Sequence, residues 1–364
     1  MVPLSRSSPE PSIHYIQSYA LAGRSGLPIT RLAPLRRSLG VMTQIELREL
    51  GKTGLTVSRM GLGLAALGRP GYINLGHKTD LAGRHDVAGL ALHTHHVLDS
   101  ALAAGIRYID AARSYGRAEE FLAQWIDGRQ GTLHDLVIGS KWGYTYVADW
   151  DPHAAVHEVK DHSRATLDRQ FHESLALLDG DLDIYQIHSA TEDSHVLEDA
   201  DVLIRLGELR DEGLVVGLTT SGPEQARTIR RALEVEVHGS PLFGTVQATW
   251  NLLEPSAGEA LAEAHGAGLG VIVKEVLANG RLSHSESDVA MALQHAVHDE
   301  PRDAVAIAAA LAQPWADMVL SGAATEAQLH SNLHAFDVGL DLDLPDMAEE
   351  SEDYWTMRAM LPWT

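Results

Sequence analysis

No cysteine occurs anywhere in the 364 residues, which excludes disulfides, thiolate metal sites and a cysteine nucleophile. That absence suits a reducing compartment, and a cytoplasmic location is expected. Basic residues are also scarce: 28 Lys and Arg stand against 50 Asp and Glu, a formal charge of −22. A surface of that sign repels phosphate backbones and anionic lipid heads, so neither nucleic acid nor a membrane is an expected partner. Long apolar runs are missing too. The nearest, the alanine-rich stretch Ala304 to Ala312, falls well short of the ~18 residues a membrane span requires. With 45% hydrophobic and 21% charged residues the chain can bury a large core, and a small molecule is the expected partner.

Residues 1–41 are acid-poor. Five arginines (Arg6, Arg24, Arg31, Arg36, Arg37) face one acid, Glu10, a local excess of four positive charges that leaves −26 on the remainder. Two readings stand: a transit-like leader, or a disordered extension before a start at Met42, which opens directly into the first patterned segment. From Glu46 the chain alternates into Gly51-Lys52-Thr53-Gly54 and out through Leu55 to Ser58, the pattern of a β-hairpin.

Eight short strand-like runs then alternate with helical ones: Met60 to Gly63, Arg107 to Asp110, Leu136 to Ser140, Leu182 to His188, Val215 to Thr219, Thr245 to Ala248, Gly270 to Val273 and Met318 to Leu320. Between them, apolar residues fall at helical spacing, as in Val87, Leu90, Ala91, Val97, Leu98, Ala101. The pairs Ala104-Gly105, Glu212-Gly213 and Ala267-Gly268 read as helix ends. Eight βα units predict an α/β fold, a closed (β/α)8 TIM barrel over residues 42–340, with the hairpin plugging its amino-terminal end and residues 341–364 a tail on the barrel.

Catalytic groups of such barrels sit where strands end. The second run ends in Asp110, the third in Lys141 and the fourth in His188, while Tyr115 follows Asp110 by five residues. A buried lysine beside a tyrosine favours the phenolate and is expected to lower the phenol from about 10. Such a tyrosine gives a proton to a carbonyl oxygen, or takes one back, and a neutral histidine orients that oxygen. Taken singly, each residue also has a plain structural reading, as helix cap, packing or satisfied polar group. Together they point to proton transfer.

These residues resemble the aldo-keto reductase family. Asp110-Ala111-Ala112-Arg113-Ser114-Tyr115-Gly116 with Glu119, Gly139-Ser140-Lys141, and Asp183-Ile184-Tyr185-Gln186-Ile187-His188 are similar to its three signature segments, and the likeness runs from about Leu47 to Leu333. The resemblance implies a hydride transfer between a nicotinamide cofactor and a carbonyl or alcohol, with Tyr115, Asp110, Lys141 and His188 as the catalytic set. It implies cofactor contacts at Thr219, Thr220 and Gln247 and, in the last unit, at Ser321, Gly322, Ala323, Thr325, Gln328 and Asn332. NADP(H) is favoured over NAD(H) by the resemblance alone.

The chain departs from the family pattern in three places. Lys274-Glu275-Val276-Leu277 stands where an aromatic residue usually stacks on the nicotinamide; Lys274 either pairs with Glu275 or reaches the pyrophosphate, and Leu277 and Gly280 fit the loop that follows. Ala324 stands where a cation or serine often holds the adenosine 2′-phosphate. The segment Arg69 to His77 after the first strand is long and is expected to wall the substrate pocket. Tyr72, Trp142 and Trp250, with His77 beside them, are the substrate-pocket candidates, each with packing as the alternative. His93 and His96 share a helical face but have no carboxylate partners in register, so no metal is expected. The other functional readings are a cofactor-binding regulatory barrel without turnover and a Schiff-base lyase using Lys141 or Lys274. The tail from Asp341 either folds over the pocket rim as a short helix or packs on the barrel wall.

Overall fold

The computed structural model describes residues 45–81, 86–129, 133, 135–178, 180–284, 288–297, 300–339 and 344–363. Residues 1–41, read above as a leader or extension, lie outside the described residues. Eight parallel strands close into a barrel: β1 Met60–Gly63, β2 Tyr108–Asp110, β3 Val137–Trp142, β4 Ile184–Ala190, β5 Val215–Thr220, β6 Thr245–Thr249, β7 Gly270–Lys274 and β8 Met318–Ser321. Closure is made where β8 pairs with β1, Leu320 opposite Gly61. Each strand is buried almost throughout, because helices cover the barrel outside and side chains fill it inside.

The helices after β1 to β6 are α1 Val87–Ala103, α2 Ala118–Asp127, α3 Arg164–Leu178, α4 Ala200–Asp211, α5 Gln225–Leu233 and α6 Gly258–Ala267. Two helices, α7 Asp288–Val297 and α8 Arg302–Leu311, separate β7 from β8, and α9 Glu326–Leu333 follows β8. Asp86 caps α1 by accepting from the Gly89 amide at 2.8 Å. The expected helix ends hold: Gly105, Gly213 and Gly268 all take the left-handed backbone that a side chain disfavours.

The hairpin closes one end of the barrel. Leu47–Glu49 pairs antiparallel with Thr56–Ser58, and the Lys52 amide donates to the Gly268 carbonyl at 2.9 Å. Contact is so tight at the turn that a Cβ on Gly51 would lie 2.3 Å from the Gly270 nitrogen. Leu50 is fully buried in a cluster with Tyr108, Val137, Ile184, Ile272 and Met318, so apolar side chains stopper the interior from below.

Two further hairpins are additions that the sequence pattern did not reveal. Tyr144–Tyr146 pairs with Glu158–Lys160 just after β3, and Glu236–Val237 pairs with Ser240–Pro241. A carboxyl-terminal helix, α10 Ser351–Ala359, comes back toward the end of β7, where Arg358 grips Glu275. No described helix is long and apolar enough to cross a membrane.

Candidate active site

Strand pairing brings Asp110 opposite Gly139, two residues before Lys141, so the two side chains meet inside the barrel mouth. Lys141 is fully buried and its ammonium donates to Asp110 Oδ2 at 2.5 Å, the Ala111 carbonyl at 2.9 Å and the Tyr115 hydroxyl at 3.2 Å. Its three hydrogens are thereby used. The second Asp110 oxygen accepts from Gln247 Nε2 at 3.0 Å and from the Tyr108 hydroxyl at 3.3 Å. A charge pair this deep persists only because every remaining lone pair and proton has a partner.

Tyr115 is held by the turn after β2. Its amide donates to the Ala112 carbonyl, the Arg113 amide donates to the Lys141 carbonyl, and the Arg117 amide to the Gly68 carbonyl. Behind the turn, buried Glu119 receives Arg113, Ser140 Oγ at 2.6 Å and Ser174 Oγ at 2.7 Å, which ties the turn to β3 and α3. His188 lies at a bulge within its strand. Pairing with β5 shifts between Ile187 and Ala190, Ser189 adopts φ 54°, and the Ser189 amide donates to Thr219 Oγ1 at 2.7 Å. Bulges re-aim side chains; here the imidazole ends edge-on to the Tyr115 ring, 5.5 Å between centroids.

Burial, reinforced by Lys141, Lys274 and Arg69, holds His188 well below the ordinary imidazole value, so the ring is neutral at physiological pH. The phenol of Tyr115 is pushed the other way. Burial first, then the Asp110 carboxylate, raise it well above 10, while Arg69 works against them. This corrects the expectation of a lowered phenol. Lys141 is spent on Asp110, and the pair presents a hydrogen bond but little net charge.

One cavity of about 1110 Å³ joins Asp110, Tyr115 and His188 to the far side of the rim. That exceeds the roughly 300–1,000 Å³ usual for a single ligand and leaves room for a cofactor with a substrate. Of the cofactor residues expected, Thr219, Gln247, Lys274, Leu277 and Gly280 line it. So do Ser321, Gly322, Ala323, Gln328 and Asn332 at the end of β8 and along α9. Thr220 does not: it is fully buried outside the lining. Thr325 instead caps α9, accepting from the Gln328 amide at 3.1 Å.

The substrate candidates divide. Tyr72 lines the cavity, as do Arg69 and the residues from Ile73 to Gly76, so the long segment after β1 forms a wall. Trp142 and Trp250 are corrected to core residues. Trp142 is fully buried against His162, and Trp250 packs edge-on to Trp315 at 5.8 Å. Both side chains belong to the main hydrophobic core, where their apolar area is removed from water. His77 is likewise buried outside the lining. Aromatic surface comes from Tyr144 and Trp363, and charge from Arg69, Glu158, Glu275 and Arg358. Of the two histidines sharing a helical face, His93 is engaged with the Ala324 carbonyl.

Lys274 and Glu275 make no direct pair. Lys274 donates to Thr249 Oγ1 at 2.9 Å, that hydroxyl donates to Glu275 Oε2 at 3.0 Å, and Glu275 takes Arg358 of α10. Burial lowers Lys274 to about 8, with Glu275 opposing. Burial would raise Glu275, but Arg358 and Lys274 outweigh it and hold the carboxyl at about 2. The residues present suit a dinucleotide. Among the described residues, Asn279 Oδ1 is buried at the lining without a partner, and open space surrounds Gly322, where a bound group can approach the backbone.

The sequence matches the model of the Aldo/keto reductase family over residues 60–350. Among curated relatives, the uncharacterized oxidoreductase YqkF of Bacillus subtilis is 26% identical over 307 residues, covering 79% of this chain and 90% of that protein. The aldo-keto reductase YhdN of the same organism is 26% identical over 58% of this chain and 55% of its own length. Of solved structures, an aldo-keto reductase of Pseudomonas aeruginosa superposes with a TM-score of 0.57 at 25% identity, covering 79% of this chain and 93% of that one. The holo form of aldo-keto reductase AKR11C1 from Bacillus halodurans gives 0.62 at 21% identity, over 86% and 96% of the two chains, a likeness of fold. On the family match, the chain belongs to the aldo/keto reductase family, a family of oxidoreductases.

Proposed function

We propose that this protein reduces an aldehyde or ketone to the alcohol, or runs the reverse oxidation, with Tyr115 as the proton donor. One observation carries the reading. The Tyr115 hydroxyl faces a shared cavity 3.2 Å from Lys141 Nζ, with the neutral His188 ring edge-on beside it. A nicotinamide dinucleotide, when bound, supplies or accepts the hydride.

The chain's own residues do the rest. Tyr115 gives its proton to the carbonyl oxygen as the carbon gains hydride, and regains one from solvent. A phenol held above 10 keeps that proton at working pH. Lys141 stabilises the resulting phenolate through the hydrogen bond it already makes, and Asp110 holds Lys141 in place. Neutral His188 can donate an N–H to the same oxygen and set the carbonyl's orientation. Gln247, anchored on Asp110, and Thr219 stand ready for the carboxamide, and Ser321, Gln328 and Asn332 for the adenosine end.

Charges near that end are Asp80, Asp303 and Arg302, with His284 close by. The Asn332 amide, oriented by its neighbours, accepts from Ser321 Oγ at 2.8 Å and donates to Asp303 Oδ2 at 2.9 Å. Ala324 is buried with its amide committed to Gln328 Oε1 at 2.8 Å. Among the described residues this end offers no excess of positive charge for a 2′-phosphate, which favours NAD(H).

Replacing Tyr115 with Phe tests the reading. Turnover of benzaldehyde should fall by at least about 100-fold while the cofactor dissociation constant stays within about twofold. Turnover equal to that of the unaltered protein would overturn it.

A further inference from the structure

Arg69 is a buried cation that the resemblance did not single out. It sits in the segment after β1, 2% exposed, and its Nη1 donates to Glu158 Oε1 at 2.5 Å and to the Ser114 carbonyl at 2.9 Å. Ser114 is the residue before Tyr115. The guanidinium carbon also lies 5.4 Å from the centre of the Tyr115 ring, 5.3 Å from Tyr72 and 4.7 Å from Trp363. Trp363 is stacked in turn on His157, 4.1 Å between centroids and 5° from parallel. One planar cation therefore meets the carbonyl just before Tyr115 and the ring of that tyrosine, with the Tyr72 and Trp363 rings also against it.

We infer that Arg69 is a positioning residue for Tyr115: its guanidinium fixes the turn through Ser114 and supplies the permanent positive charge against which the phenol gives up its proton. The inference rests on the reading of Tyr115 as proton donor and adds a control on that donor. Lys141 cannot fill this role alone, because Asp110 takes most of its charge. Arginine stays charged at every working pH, and its weak hydration suits a site walled by rings.

Other ionisable groups face Tyr115 from every side. Asp110 and Tyr108 come from β2, Lys141 from β3, His188 from β4, Glu275 from the end of β7, Tyr72 from the same segment as Arg69, and Glu158 from the hairpin after β3. Among them Arg69 favours the phenolate, whereas Asp110, Glu158 and Glu275 oppose it. Arg69 and Glu158 thus form a couple whose members act on the phenol with opposite signs.

That opposition gives the test. The pH profile of benzaldehyde reduction by the full chain is measured for the unaltered protein, R69M, E158Q, K274M and Y115F, with folding checked by circular dichroism and cofactor binding by fluorescence. Lys274, held at about 8 in the same cavity, titrates first, so the limb assigned to the phenol is the one that persists in K274M; that limb should move up by about one pH unit in R69M and down in E158Q. A limb that stays in place in both variants, or moves the same way in both, overturns the role of Arg69, since a merely structural contact lowers the rate without displacing the limb in opposite directions. Should R69M fail to fold, E158Q decides alone: a lowered limb supports the inference and an unmoved one ends it. Full activity in Y115F would instead remove the underlying reading of the site, a result distinct from either.

Discussion

Replacing Lys141 with Met isolates the energetics of the buried pair. The substitution keeps a long unbranched side chain but removes an ammonium that is 0% exposed and lies 2.5 Å from Asp110. Asp110 would retain Gln247 and Tyr108 as donors yet lose its countercharge. Breaking one partner of a buried ion pair costs about 3–5 kcal/mol, a large part of the 5–15 kcal/mol that holds a typical domain folded. With a urea m-value near 3 kcal/mol/M, the midpoint should drop by about 1–1.7 M. The double variant D110N/K141M removes the stranded charge as well, so it should recover about 2 kcal/mol of that loss while remaining inactive. Urea unfolding followed by tryptophan fluorescence reads both. A double variant no more stable than K141M would refute the reasoning, since the loss would then come from shape and not from an uncompensated carboxylate.

Further expectations concern pH and packing. Glu275 is held at about 2 against an ordinary value of 4.5, so its contribution is fully present above pH 4.5 and is lost as pH falls toward 2. Linkage puts it at about 3 kcal/mol, and E275Q should flatten stability over that window in acid titrations followed by circular dichroism. His188 is neutral, so kcat for reduction should show no inflection near pH 6.5; an inflection that disappears in H188Q would contradict the assignment. Trp250→Ala should cost about 3–5 kcal/mol in unfolding experiments and leave KM for the aldehyde unchanged, because the ring packs on Trp315 and not on the cavity. In fluorescence titrations NADH should bind at least as tightly as NADPH.

The barrel was legible because its signals repeat. Eight buried runs, the glycine-bearing turn of the hairpin and the Gly105, Gly213 and Gly268 helix ends each follow from local chemistry, and all three kinds agree with one architecture. Asp110, Lys141 and His188 could be picked out because polar residues at the ends of apolar runs are conspicuous. Their observed strands extend by up to two residues beyond the apolar runs, as in Val137–Trp142 and Ile184–Ala190, since parallel pairing continues through polar positions. What stayed hidden depends on contacts far apart in sequence. Arg69 meets Glu158 across 89 positions and Arg358 meets Glu275 across 83. No periodicity announces either. A tryptophan next to a strand-end lysine invites a pocket reading, yet the alternation of a strand sends Trp142 to the opposite face from Lys141.

The hairpin beneath the barrel also governs traffic. With Leu50 and its neighbours corking the lower end, Tyr115 opens, among the described residues, to the upper mouth. A cofactor and a carbonyl compound held in this cavity would share that opening. The stopper that leaves the upper mouth open is built into the chain before β1 begins.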